Sequence, residues 1–365
     1  MRFIIFGLSI SSSWGNGHAT IWRSLLKAMA RRGHSAVFYE KDVPYYAGAR
    51  DGWACPAGIE LRLYDSLEQV RQDALREMRS ADVALCTSYC PEGGRAAHMI
   101  WESEAEIKAF YDLDTPVTLR SLSEGQPPEY LPSEGLGPFD LVLSFTGGRA
   151  LDELQTRLGA RRVAPLYGAF DPETHHAVEP IEAFRGALSY LGTYAADRQA
   201  KLEELFVEPA RRIADQRFYI AGAQYPDSFP WQENICFVRH LEPSQHAAFL
   251  CSSRATLNVT RGSMAEYGYC PSGRLFEAAA CKAAILSDRW EGLEAFFAPG
   301  KEILPVASAE DVLASLSLSD DELKRAGEAA WEHAHACHTA AQRVVELEAA
   351  CEAALAGRNK AALAA

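Results

Sequence analysis

Apolar residues along the 365-residue chain fall into two alternating rhythms. Blocks of strand length, RFIIFGL, SAVFYE, ADVALCTS, IKAFYDLD and FDLVLSFT, recur through the first half. Between them IWRSLLKAMARRG and LEQVRQDALREMRS space their apolar positions three and four apart, as a helix with one buried face does. Such alternation predicts a parallel sheet covered on both faces. Around residues 171–187, DPETHHAVEPIEAFRGA carries two prolines and no strand pattern, which predicts an interdomain linker. The rhythm then restarts. ALSYLGTY, RFYIAGA, ICFVRH, ATLNVT and AAILSD predict strands, with KLEELFVEPARRIA, SQHAAFLCSS and a helix beginning near Ser272 between them. From about Ser319 onward the composition is helical, rich in Ala, Glu and Arg, with no strand pattern. The expected organisation is an α/β chain with one Rossmann-like domain over 1–175, a second over 187–335, and a helical segment over 336–365.

Composition narrows the partners. The formal charge of −13 argues against a nucleic-acid backbone or an anionic membrane surface, either of which needs a large basic face. MRFIIFGLSI is too short an apolar run, with no small-residue cleavage site after it, to predict a signal peptide; a buried first strand accounts for it. No later run approaches the roughly 20 apolar residues that span a bilayer. Nine cysteines without CxxC pairs fit free thiols in a reducing compartment, so a cytoplasmic location is expected.

In open α/β sheets ligands lie beyond the carboxyl ends of the strands, so the loops there carry the candidate chemistry. The first, SSSWGNGHAT at 11–20, places Gly15, Asn16 and Gly17 where backbone approaches a ligand closely, and His18 near the start of the next helix, as a proton acceptor, a hydrogen-bond donor or a simple cap. Its spacing is not GxGxxG, and only Glu40 or Asp42 stands near the end of the second strand, so a nicotinamide site is weakly supported. FYDLDTP at 110–116 puts Asp112 and Asp114 on one side of an extended segment; no further oxygen ligands accompany them, which favours a carboxylate acting without metal, or a loop cap. FTGGRALDEL offers Gly147 and Gly148, in a cleft lining or a tight turn. In the second half SYLGTYAADR supplies Gly192, Thr193 and Arg198, and NVTRG supplies Asn258 and Arg261.

CPSGRLFEAAAC then opens a helix at Ser272 and Gly273. A helix N-terminus offers free N–H groups and partial positive charge, to which Arg274 adds a fork suited to phosphate. Glu277, one turn on, is placed to accept from sugar hydroxyls, or forms an ordinary i,i+3 pair with Arg274. In HAHACH, residues 333–338, only His333 and Cys337 share a helix face, and two ligands do not make a zinc site.

Taken together, PSGRLFEAAAC followed by ILSDRWEGLEAFFAPGKEIL, with NVTR and LSYLGTYAADRQ before them and SSSWGNGHAT, DVPYY and YDLDTPVTL in the first half, resemble the CgeB-like (spore maturation protein) glycosyltransferases of the GT-B superfamily. The likeness runs from the first loop to about residue 305. It implies two Rossmann-like domains facing a central cleft, a C-terminal helix returning to the first domain, and transfer of a sugar from a nucleoside diphosphate sugar, most readily a UDP-sugar, to an acceptor without metal or cofactor. By the same resemblance Glu277 binds the donor ribose, Arg274, Arg261 or Arg198 the diphosphate, and His240 the base, while His18 matches the base histidine of inverting members. Tyr269 stands where retaining members carry the first of two glutamates, so the stereochemical outcome stays open. Two other readings use the same donor site: a sugar-nucleotide epimerase, which needs acid/base groups on both faces of the sugar, and a non-catalytic nucleotide-sugar binder.

Overall fold

The protein is described from a computed structural model covering residues 1–364. It divides into two compact units, Met1–Tyr167 with the terminal helix Ala340–Ala364, and Gly168–Thr339. The first break thus falls at Tyr167, ahead of the expected 175, and residues 336–339 belong with the second unit.

The first unit is built on seven parallel strands: β1 (Arg2–Gly7), β2 (Ser35–Lys41), β3 (Ile59–Tyr64), β4 (Val83–Thr87), β5 (Ile107–Asp112), β6 (Leu141–Ser144) and β7 (Val163–Pro165), in the order β3-β2-β1-β4-β5-β6-β7. Phe3, Ile4, Ile5 and Phe6 of β1 are all buried, because helices cover both faces and no position is left to water. β3 (IELRLY) and β7 escape a search for continuous apolar blocks. β3 is an edge strand in which Glu60 and Arg62 interrupt the run and pair at 2.6 Å.

The terminal helix packs on the helix Gly17–Arg31 and against β5 and β6. Val344, Leu347, Cys351 and Ala354 are buried along it, spaced three and four apart, which is the seam of one helix laid on another. Glu348 pins it: the carboxylate accepts from Arg32 Nε (2.9 Å) and Nη2 (2.7 Å) and lies 2.6 Å from His34 Nε2.

The second unit repeats the plan with β8 (Gly186–Leu191), β9 (Phe218–Gly222), β10 (Ile235–Arg239), β11 (Ser253–Asn258), β12 (Ile285–Ser287) and β13 (Leu304–Pro305), parallel in the order β10-β9-β8-β11-β12-β13. Its core gathers Leu188, Tyr190, Phe206, Phe218, Ile220 and Leu257. The helix expected over KLEELFVEPARRIA is interrupted by a wide π-turn at Glu203–Val207, just ahead of Pro209. Proline has no N–H to give the i−4 carbonyl, and a wider turn absorbs the defect. The helical tail breaks at His338 and Thr339 into Asp320–Cys337 and Ala340–Ala364.

Both sheets reverse direction once, between β1 and β4 and between β8 and β11. At such switch points neighbouring connections leave on opposite faces and open a crevice at the carboxyl edge. Among the described residues no helix is long and apolar enough to cross a membrane.

Because Arg32, with His34 behind it, holds Glu348 down at about 2, the stabilisation it gives is present above the unfolded carboxylate's pKa and is lost as pH falls toward 2. Glu348→Ala is expected to lower Tm by a few degrees at pH 7 and by less at pH 3; thermal melts across pH would show it, and an equal deficit at both values would contradict the account.

Candidate functional site

In the second unit the loops after β8 and β11 flank the switch point. Gly192 opens the first; a Cβ on Gly222, at φ 157° and the end of β9, would stand 2.1 Å from the Gly192 carbonyl oxygen, so the chain after β8 approaches the end of β9 as closely as glycine allows. Thr193 follows, and Arg198 Nη1 donates to the Tyr190 hydroxyl at 2.8 Å while its buried Nε has no partner. After β11, Asn258 Nδ2 donates to Ser287 Oγ at 3.1 Å, and the Thr260 N–H and hydroxyl both donate to Asp288 at 2.9 Å. Lys201 lies 2.5 Å from the other oxygen of Asp288. This buried network fixes the loop, and Asn258 serves it structurally. Arg261 then stands 3.5 Å from Asp197, whose same oxygen accepts from the Gly262 N–H at 3.1 Å. Arg261, from the loop after β11, is thus brought to Asp197, the neighbour of Arg198 in the loop after β8. His240, after β10, adopts φ 50°, and its N–H donates to the Gly222 carbonyl at 3.0 Å.

The helix Gly273–Ala280 begins at this same carboxyl edge, since its far end feeds β12. Ser272 caps it, accepting from the Arg274 N–H at 3.3 Å, and a Cβ at Gly273 would meet nothing within 4 Å, so its first turn is open. Glu277 is 2% exposed, and its Oε2 accepts from Arg274 Nη1 at 2.6 Å. The i,i+3 pair therefore exists, but its carboxylate lies in the interior. Behind it stand His175 and His246, both buried, with His175 Nε2 3.9 Å from the same Oε2. Burial acts to raise the Glu277 carboxyl, yet neighbouring charge outweighs it and holds the group at about 2. Burial also pushes His175 down, and His246 down to about 3, so both imidazoles are neutral at pH 7. The charge that keeps Glu277 ionised is then that of Arg274. These three side chains offer ligand atoms within 4.8 Å of one another, a spacing that suits a metal. Arg274 already supplies the positive charge on the carboxylate oxygen that a cation would need.

In the first unit, Asn16 caps the helix Gly17–Arg31 by accepting from the His18 N–H at 3.1 Å, and its Nδ2 donates to the carbonyls of Ser9 and Ser12 at 3.2 Å. Gly15 turns at φ 58°. Glu40 accepts from Ser9 Oγ and from the N–H groups of Ile10 and Ser11 at 2.7–3.0 Å. Both its oxygens are spent on this loop, and Asp42 pairs with Arg50 at 2.6 Å, so both acids that could have met a dinucleotide ribose are engaged. So anchored, His18 Nε2 lies 3.5 Å from Asp114, and the Tyr89 ring after β4 meets the imidazole edge-on at 5.2 Å.

Asp112 and Asp114 do not share a side as expected. β5 ends at Asp112, whose Oδ1 accepts the Asp114 N–H at 3.1 Å, and Asp114 turns out to the N-cap position of the helix Thr115–Ser123. Asp112 is fully buried, and burial pushes its carboxyl up to about 6. Gly148 caps the next helix at φ 56°, ψ −140°, a conformation reserved to glycine, with Gly147 ahead of it, a tight turn by this geometry. His333 is committed to Glu302 at 2.7 Å. Sequence patterns missed His175, His246 and Tyr89: the first sat in an apparent linker, the second in an apolar helix, and a lone tyrosine after a strand carries no signal.

Residues 198–349 match the glycosyl transferase-like family, a span that starts at Arg198 and includes Arg261, Arg274 and Glu277. Among curated proteins none matches the chain in sequence. In three dimensions it is similar to sucrose-phosphate synthase from Thermosynechococcus elongatus (TM-score 0.69, 13% identity, covering 97% of this chain and 100% of that one). Anabaena HepE in complex with UDP and glucose gives 0.65 at 11% identity, covering 96% and 99%. An alpha-glucosyltransferase in complex with UDP-glucose and DNA containing an abasic site gives 0.69 at 12%, again covering 96% and 99%. The chain has the two-domain fold of the GT-B glycosyltransferases.

Proposed function

We propose that the protein is a glycosyltransferase of the CgeB-like kind that moves a sugar from a nucleoside diphosphate sugar, a UDP-sugar foremost, to an acceptor hydroxyl. The observation that carries this is the buried, ionised Glu277 beside Arg274 in the first turn of a capped and open helix. A carboxylate held there receives ribose hydroxyls, while the helix N-terminus and arginine receive phosphate. The match over 198–349 and the fold shared with UDP-bound proteins support it.

In this reading Gly192 and Thr193 bring backbone to the diphosphate, with Arg198, Arg261 and Arg274 around it and His240 beside the base. Departure of the nucleoside diphosphate builds negative charge on its leaving oxygen. Guanidinium groups and free N–H groups already in place stabilise that charge, and no metal is required. His18 accepts the proton of the acceptor hydroxyl, and Asp114 stabilises the imidazolium that results. The net charge of −13 disfavours a nucleic-acid acceptor.

A nucleoside diphosphate at 100 times its Kd should stabilise the protein by about 2.7 kcal/mol, read as a rise in Tm. Glu277→Ala and Arg274→Ala are expected to weaken that binding by roughly 10- to 100-fold, in line with loss of a hydrogen bond to a charged group. Unchanged affinity in Glu277→Ala would refute the site.

His18→Ala should lower kcat by roughly 10²–10⁴ while donor affinity is kept. Nucleoside diphosphate release measured against acceptor would show this, and full turnover in the variant would remove His18 as the base.

Burial raises Asp112 in the folded state above its unfolded value, so its contribution is favourable at low pH and is lost as pH rises through about 6. Asp112→Asn should therefore gain on the wild type, by a few degrees of Tm, between pH 5 and pH 8; a gap that does not change with pH would contradict the assignment.

A further inference from the structure

His175 is fully buried, and neither of its ring nitrogens has a hydrogen-bond partner. An unmet buried polar group costs about 1–3 kcal/mol, so the resting contacts do not explain why an imidazole stands there. The carboxylate oxygen it faces, Glu277 Oε2 at 3.9 Å, is the one that accepts from Arg274 at 2.6 Å. Glu277 thus has one partner engaged and a second held just out of reach.

Those partners differ in freedom. Arg274 has a side chain 31% exposed, at the open first turn, with a buried Nε that meets nothing. His175 is anchored through its backbone and not through its ring: the backbone N–H donates to the Asp171 carbonyl at 2.8 Å, and the Asp171 carboxylate accepts from the Glu173 N–H and the Thr174 hydroxyl, each at 3.1 Å. A diphosphate arriving at the first turn competes for Arg274 and can draw it off the carboxylate. It cannot draw off His175.

We propose that His175 is a positioning residue for Glu277, which takes over Oε2 as a protonated hydrogen-bond donor when Arg274 turns onto the diphosphate of a bound nucleotide. This rests on the donor-site reading above. A buried carboxylate stripped of the Arg274 guanidinium is strongly disfavoured, so a proton comes from solvent to the site. The groups facing His175 say where it goes. Burial is the largest influence and depresses the imidazole; Glu277 and Asp171 act to raise it, Arg274 and His176 to lower it. His246, on the adjacent helix His246–Ser252, stays neutral through its own burial. Withdrawing Arg274 removes a depressing charge and leaves Glu277 unneutralised, so His175 Nε2 takes the proton. Nucleotide binding is then coupled to proton uptake.

The test is calorimetric titration of the full chain with UDP at pH 7 in two buffers of different ionisation enthalpy, which counts protons taken up per nucleotide. The wild type is expected to take up as much as one proton more than His175→Asn, and to bind about tenfold more tightly. Equal proton counts with affinities within twofold would overturn the proposal and leave the donor site standing. A wild type that binds neither UDP, ADP nor GDP would overturn the donor site and this inference with it. One metal ion per chain in the purified protein, by elemental analysis, would also overturn it. If His175→Asn does not fold, ¹⁵N NMR of the wild-type ring decides: neutral when free and charged with UDP supports the proposal, and neutral in both overturns it.

Discussion

An ionised carboxylate kept inside a protein is the constraint from which the second unit's architecture follows. Glu277 is 2% exposed, and a charge so placed is stable only if a cation and hydrogen bonds meet it. Arg274 meets that need, and it does so from the first turn of a helix whose cap and open approach already favour an anion. In the proposed reading the protein's own stability and its affinity for a phosphorylated ligand draw on the same guanidinium. A ligand that takes Arg274 must leave the carboxylate another partner, whether its own hydroxyl groups or a protonated His175. Binding at such a site is an exchange of partners, and its strength depends on how well the exchange balances.

Around that pair the fold supplies rigidity. Each sheet has one switch point, and in both units loops that leave it are tied down by hydrogen bonds, several of them buried, rather than by packing alone. Asp288 gathers Thr260 and Lys201 in the second unit. In the first, Glu40 gathers Ser9, Ile10 and Ser11, while Asp51 holds Ser13 and Arg23. His18 is set on the first turn of a capped helix behind such a loop, so in the proposed reading it meets a bound hydroxyl from a fixed backbone.

Much of this was legible in the chain. Blocks such as RFIIFGL and ALSYLGTY are apolar on both faces only because parallel strands are covered on both, and their alternation with helices announced two sheets. PSGRLFEAAAC announced a capped helix with a charged first turn. Most of what stayed hidden depends on residues distant in sequence. Asp114 meets His18 only because β5 and β1 are separated by a single strand, and Asp112 is buried because the chain turns immediately after it. His175 reads as linker because a proline-bearing stretch without strand pattern gives no sign that it folds under a helix a hundred residues further on. β3 was missed because an edge strand needs only one apolar face.

The central claim is that Glu277 and the first turn of Gly273–Ala280 form the seat of a nucleoside diphosphate. A crystal structure of the protein grown with UDP tests it most directly. The account predicts the ribose hydroxyls on the Glu277 carboxylate and the diphosphate against the N–H groups of the first turn, with Arg274 turned from the carboxylate onto it. UDP bound elsewhere, or bound with the Arg274–Glu277 pair intact and no contact to either, would contradict it.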